Sequence, residues 1–148
     1  MIVVPSASDC LVLYGDFLNF TPEELFDHWV KPELLLLWWP KDVELDAVVG
    51  GMYRFGWPEQ DWVLRGRYEA FEPGRRLRFT WHWDQHPADI DPMWVDVFFM
   101  PIDRGVRLSI FHGPYSESAS DQGAKQGHLE GWIHFGMRLA GLRPGEVV

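Results

Sequence analysis

The sequence predicts an α+β fold: a bent antiparallel sheet of about seven strands, two short helices after strand one, and a long C-terminal helix over the concave face. Three observations lead to it. Turn signals recur at hairpin intervals, at Gly50-Gly51, Trp57–Asp61, Glu72-Pro73-Gly74, Gln85–Pro92 and Asp103-Arg104-Gly105. Between them, apolar and polar residues alternate with the period of a half-buried strand. Residues 127–139 then read as a helix, with Leu129, Ile133, Gly136 and Leu139/Ala140 forming an apolar stripe at spacings of three and four.

Taken in order, Cys10–Asn19 has a strand pattern. Thr21-Pro22-Glu23-Glu24 then places a capping Thr, a Pro at the first helical position and Glu in the first turn. Leu25, Phe26 and Trp29 share one face of that helix. Lys31-Pro32-Glu33 breaks it and starts a second helix carrying Leu34 to Trp39. About six strands follow. Two are clearest: Leu77, Phe79, Trp81 and Trp83 alternate with Arg78, Thr80 and His82, and Val95, Val97 and Phe99 alternate with Trp94, Asp96 and Phe98. Tyr115–Asp121 reads as a polar link into the final helix, within which Gly131 and Gly136 would allow close backbone approach. Pro144-Gly145 is expected to end the fold.

With 148 residues the chain fits one domain, 1–148, with its core at about 10–142. The formal charge of −9 and pI near 5.0 argue against nucleic acid and against anionic membrane, both of which select a basic face. Cys10 is alone and Met1–Ser8 has no basic signal-peptide start, so a reduced, cytoplasmic setting is expected. The densest apolar run, Leu34–Trp39, is closed by Pro40 and falls far short of a membrane span, so no membrane partner is expected.

The order strand, two short helices, antiparallel strands, long helix is a helix-grip arrangement, and several ordered motifs make it specific. They are Pro22-Glu23-Glu24-Leu25-Phe26, Trp29, Pro32-Glu33-Leu34, Trp38-Trp39, Gly50 to Phe55, Glu72 to Leu77, Phe79-Thr80-Trp81 and Gly127 to Trp132. On these the chain resembles the activator of heat-shock protein 90 ATPase-like domains of the START/SRPBCC, birch-pollen-allergen-like superfamily, over about residues 10–142. The resemblance implies a cavity between sheet and C-terminal helix that accepts apolar small molecules. It also implies kinship with ligand carriers and with small polyketide-cyclase-like enzymes. The resemblance to eukaryotic activators is to their C-terminal domain only, and a counterpart of their chaperone-engaging N-terminal domain is not expected here. No chaperone partner is therefore expected.

Alternation names the side chains that would face such a cavity: Phe79, Trp81 and Trp83, then Val97 and Phe99, then Ile110 and His112. Trp38, Trp39, Tyr53, Phe55, His128, Trp132 and Phe135 complete the candidate set. For any single one of them plain core filling is the favoured reading, and it is their sum that points to a cavity. His112 and His128 are the polar groups placed to approach the cavity. They would orient a ligand's carboxylate or carbonyl, act as general base in a cyclase-like reaction, or serve as structural hydrogen-bonding groups.

His82, Asp84 and His86 could share a strand face, but Pro87–Pro92 is a loop. The expectation there is a solvated hairpin end with no metal. Trp94, Phe98, Met100 and Phe111 lie on the convex face. They suggest a homodimer surface or local burial within the chain.

No phosphate loop, zinc pairing, nucleophile elbow or dinucleotide fingerprint is present, and no cofactor is expected. The leading expectation is non-enzymatic binding of an apolar small molecule. The alternatives are a cofactor-independent cyclase or dehydratase using a cavity His, and a protein-interaction module.

Overall fold

Eight strands and three helices succeed one another in the computed structural model, which describes residues 1–5 and 7–143. They are β1 (Ile2–Val4), β2 (Leu11–Leu18), α1 (Pro22–Val30), α2 (Pro32–Leu35), β3 (Asp42–Leu45), β4 (Met52–Trp57), β5 (Trp62–Glu72), β6 (Arg76–Trp83), β7 (Met93–Ile102), β8 (Gly105–Gly113) and α3 (Ala119–Gly141). The strands form one open antiparallel sheet in the order β1-β2-β8-β7-β6-β5-β4-β3. From β4 to β8 the order is that of successive hairpins, as the turn spacing predicts. The α1–α2 segment carries the chain from β2 across the concave side to β3 at the far edge.

Three local predictions need correction. The sheet has eight strands because Ile2–Val4 pairs with Val12–Tyr14 at its edge; three residues are too short to show a period. The second helix stops at Leu35 and does not carry Leu36 to Trp39, which turn so that Trp38 and Trp39 can both point inward. The final helix starts at Ala119, well before Gly127, with the Ser118 hydroxyl accepting from the Asp121 amide at 3.1 Å. Pro144-Gly145 lies outside the described residues.

Helix α1 begins as its sequence predicts, with a capping box. The Thr21 hydroxyl accepts from the Glu24 amide and the Glu24 carboxylate accepts from the Thr21 amide. Its Leu25, Phe26 and Trp29 are buried. Trp29 lies at the junction of the layers, its ring stacked on Trp132 of α3 at 5.8 Å and tilted against Trp38 at 5.0 Å. In β5 a bulge between Tyr68 and Ala70 changes the inward parity, so Tyr68 and Phe71 both face the core and their rings meet at 5.6 Å.

The convex face is organised around Asp96, a nearly buried carboxylate that accepts two hydrogen bonds from Arg76 and one from Arg78. The same guanidiniums lie over Phe98 at 5.3 Å and Trp94 at 4.8 Å. Phe111 meets Phe98 edge-on at 5.8 Å. Much of the aromatic surface expected there is thus covered from within the chain, while Phe98 and Met100 remain exposed.

Candidate functional site

A cavity of about 310 Å3 opens between the first half of α3 and the ends of β4, β5 and β6. Its walls are aromatic: Trp39, Trp57, Trp62, Trp81, Trp83, Trp132 and Phe135, with His128 beside them and Gln85 among the exposed lining residues. Six of the chain's nine tryptophans line it. The register explains part of this clustering. Trp57 and Trp62 are direct partners across the β4–β5 hairpin, and Tyr53, Phe55 and Trp57 share the inward face of β4.

On the helix side the lining residues Ala124, Gly127, His128, Gly131, Trp132 and Phe135 follow the three-and-four spacing of one helical face. Gly127 and Gly131 keep the space open, because a β-carbon on either would meet nothing within 4 Å. This corrects the expectation for Gly131, which lines a void and makes no close backbone approach. Gly136 does pack closely, against the side chain of Met1.

Two histidines join α3 to the sheet behind the cavity. The rings of His112, from β8, and His128, from α3, stack with centroids 4.7 Å apart and planes 15° apart. The Trp132 indole N–H donates to His112 Nδ1 at 3.0 Å, and the Trp83 indole N–H donates to His128 Nε2 at 3.2 Å. An indole only donates, so each accepting nitrogen must be unprotonated. Neutral His128 then carries its proton on Nδ1, which donates to the Tyr115 hydroxyl at 2.8 Å. Neutral His112 carries its proton on Nε2, which has no hydrogen-bond partner among the described residues.

Burial holds both rings in this neutral form. It pushes His112 well below its usual range, with His128 adding to the shift, and lowers His128 to about 4, with a smaller contribution from His86.

Of the fourteen residues expected to line a cavity, Trp39, Trp81, Trp83, His128, Trp132 and Phe135 are brought together around it. Tyr53, Phe55 and Phe79 lie deeper, around a closed crevice, while Trp38, Val97, Phe99 and Ile110 are buried core. His112 is fully buried behind Trp81 and does not line the cavity. Sequence reasoning missed Trp57, Trp62, Gln85, Gly127 and Tyr115. The parity of Tyr53 and Phe55 could have found Trp57, which was instead read as part of a turn.

The hairpin end considered for metal is otherwise engaged. A His82 ring nitrogen lies 3.0 Å from the Pro87 carbonyl, and Asp84 accepts from Arg65 at 2.7 Å. No cluster of three or more metal-binding side chains occurs among the described residues, and no helix there is long and apolar enough to cross a membrane.

The family model described as Activator of Hsp90 ATPase homolog 1-like protein matches residues 19–142. The chain belongs to this family. As a member of the Activator of Hsp90 ATPase homolog 1-like family, it has structural neighbours of the same fold. Protein MLL2253 of Mesorhizobium loti superposes with a TM-score of 0.78 at 23% identity, over 93% of this chain and 99% of its own. A Rhodobacter sphaeroides protein does so with a TM-score of 0.77 at 21% identity, over 95% of each chain. DynU16, a protein in the dynemicin biosynthetic locus, has a TM-score of 0.75 at 18% identity. That match covers 96% of this chain and 49% of DynU16. At such identities the likeness to these neighbours is one of fold alone. No curated protein sequence matches.

Proposed function

We propose that this family member is a non-enzymatic binding protein for a flat, uncharged, apolar small molecule held against the tryptophan wall between β4–β6 and α3. The carrying observation is the chemistry of the lining. Among the described residues its polar groups are indole N–H groups, the Gln85 amide and His128, with no carboxylate, ammonium, guanidinium or hydroxyl group among them. An aromatic ligand gains stacking and dispersion from such walls, whereas a charged one would lose hydration without compensation. The volume is at the small end of ligand sites, which suits a compact ring system.

The cyclase-type alternative needs a base that reaches the ligand. Among the described residues His128 is the only titratable lining group, and both of its nitrogens are taken by Trp83 and Tyr115; His112 lies behind the wall. Kinship of fold with DynU16 fits either reading, since one fold hosts many functions.

The test is titration with 2-naphthol followed by tryptophan fluorescence. Saturable quenching at one site per chain is expected. Unsaturable, linear quenching identical to that of free tryptophan would remove the proposal.

A further inference from the structure

The inner wall of the cavity is built by Trp39, Trp57, Trp81 and Trp132, none more than 5% exposed, while Trp62 and Gln85 stand exposed at its mouth. An indole carries one donor and no acceptor, so the fate of these four N–H groups decides what the wall can hold. Two are taken within the chain: Trp57 donates to the Trp39 carbonyl and Trp132 to His112 Nδ1, both at 3.0 Å. That of Trp81 is sealed in without a partner among the described residues. The Trp39 N–H makes no hydrogen bond among the described residues either, but it is not one of the sealed, unpaired polar atoms, which belong to Trp29, Tyr68, Trp81 and His112. It therefore borders open space. The open space that Trp39 lines is this cavity, because the crevice on its other side, beside Tyr53 and Phe79, is too tight for a water molecule.

This donor is held in place. The Trp39 amide donates to the Leu35 carbonyl at 3.0 Å, its own carbonyl accepts from Trp57, and its ring is wedged between Phe55 at 5.2 Å, Trp132 at 5.2 Å and Trp38 at 5.4 Å. A ligand that takes the bond pays little for ordering the side chain. No free side-chain acceptor accompanies it on the inner wall, since both His128 nitrogens are engaged and the remaining rings there only donate or are apolar. A ligand hydroxyl turned inward would leave its proton unpaired, and a carboxylate would give up its hydration for a single N–H. A neutral carbonyl oxygen meets neither cost.

Resting on the ligand-pocket reading above, we propose that Trp39 is the anchoring donor of the site and that the ligand is an aryl carbonyl compound, of the aromatic ketone or quinone type. Its carbonyl oxygen accepts from the Trp39 indole N–H, and its rings lie against the tryptophan wall.

The test compares 2-acetylnaphthalene with 2-isopropenylnaphthalene, which has the same flat shape with a CH2 group in place of the carbonyl oxygen. 2-Naphthol, whose hydroxyl can face the mouth, probes the pocket itself. Wild-type protein should bind the ketone about 5-fold more tightly than the alkene, and Trp39→Phe should abolish that preference. In protein labelled with nitrogen-15 at the indoles, the Trp39 N–H proton signal should move downfield with the ketone and not with the alkene. Trp39→Phe assigns that signal, and its proximity to the Phe55 and Trp81 rings assigns it in the wild-type protein if the variant does not fold. Equal affinity for ketone and alkene, with 2-naphthol still binding, would overturn the carbonyl assignment and leave the pocket standing. A ketone preference with an unmoved Trp39 signal would overturn Trp39 as the donor. Failure of all three compounds to bind would overturn the pocket reading and the anchor together.

Discussion

Trp132 on the terminal helix donates its indole N–H to His112 Nδ1 on β8 at 3.0 Å, inside a fully buried environment. This bond fixes the His112 tautomer and, with the Trp83–His128–Tyr115 chain beside it, attaches the helix to the sheet at the back of the cavity. The histidines thus act as acceptors for the tryptophans, which requires them neutral.

Neutral, buried histidines make stability depend on pH. His128 has a folded value of about 4 against 6.5 unfolded, and His112 is depressed as well. A depressed folded value means that the unfolded chain binds the extra proton first. The stabilisation is therefore complete above the unfolded value and is lost as pH falls through the window toward about 4. From His128 alone, urea unfolding at pH 5 should give about 2 kcal/mol less stability than at pH 7.5, with His112 adding to the loss. A flat profile across that range would show that the rings titrate normally.

Trp132→Phe keeps an aromatic ring but leaves His112 Nδ1 buried without its donor. The expected cost is about 2–3 kcal/mol, from the unsatisfied nitrogen and the lost indole contacts, read from chemical denaturation.

Gly131→Leu separates binding from folding. The new side chain enters open space over the tryptophan wall, and leucine is a better helix former than glycine. Thermal unfolding should show a gain of ~0.5–1 kcal/mol while 2-naphthol no longer quenches saturably. Binding equal to wild type would place the ligand elsewhere.

Asp96→Ala releases Arg76 and Arg78, which its nearly buried carboxylate holds over Phe98 and Trp94. A loss of about 2–4 kcal/mol in urea unfolding is expected, together with greater binding of an apolar dye to the uncovered convex face. A change below about 0.5 kcal/mol would show the pair to be a surface contact of ordinary weight.

The fold was legible wherever a short-range signal had one physical cause. Thr21 with Glu24 can do little but cap a helix, and the alternation of Leu77, Phe79, Trp81 and Trp83 fixes which face of β6 is buried. The start of α3 was not legible. Gly123 and Gly127 lower its helix propensity, and what holds that first turn is the Ser118 cap and tertiary bonds such as Gln122 to the Ser8 carbonyl. Asp96 was read as a polar outward residue, because its burial depends on two arginines from the neighbouring strand.

The site was half legible for a related reason. Parity tells that Phe79 and Trp81 both face inward, but not that Phe79 lines a closed crevice and Trp81 an open cavity. That difference depends on ring rotamers and on the missing side chain at Gly131, a spacing of about one residue volume that no periodic pattern encodes.

Native mass spectrometry of the gently purified protein, followed by extraction of any small molecule that travels with it, tests the binding claim most directly. The account predicts an uncharged aromatic compound at close to one per chain, or, from stripped protein, a single 2-naphthol adduct that Gly131→Leu abolishes. A clean protein mass with no adduct at any 2-naphthol concentration would contradict it, and would mean that the tryptophan wall is core surface and not a binding site.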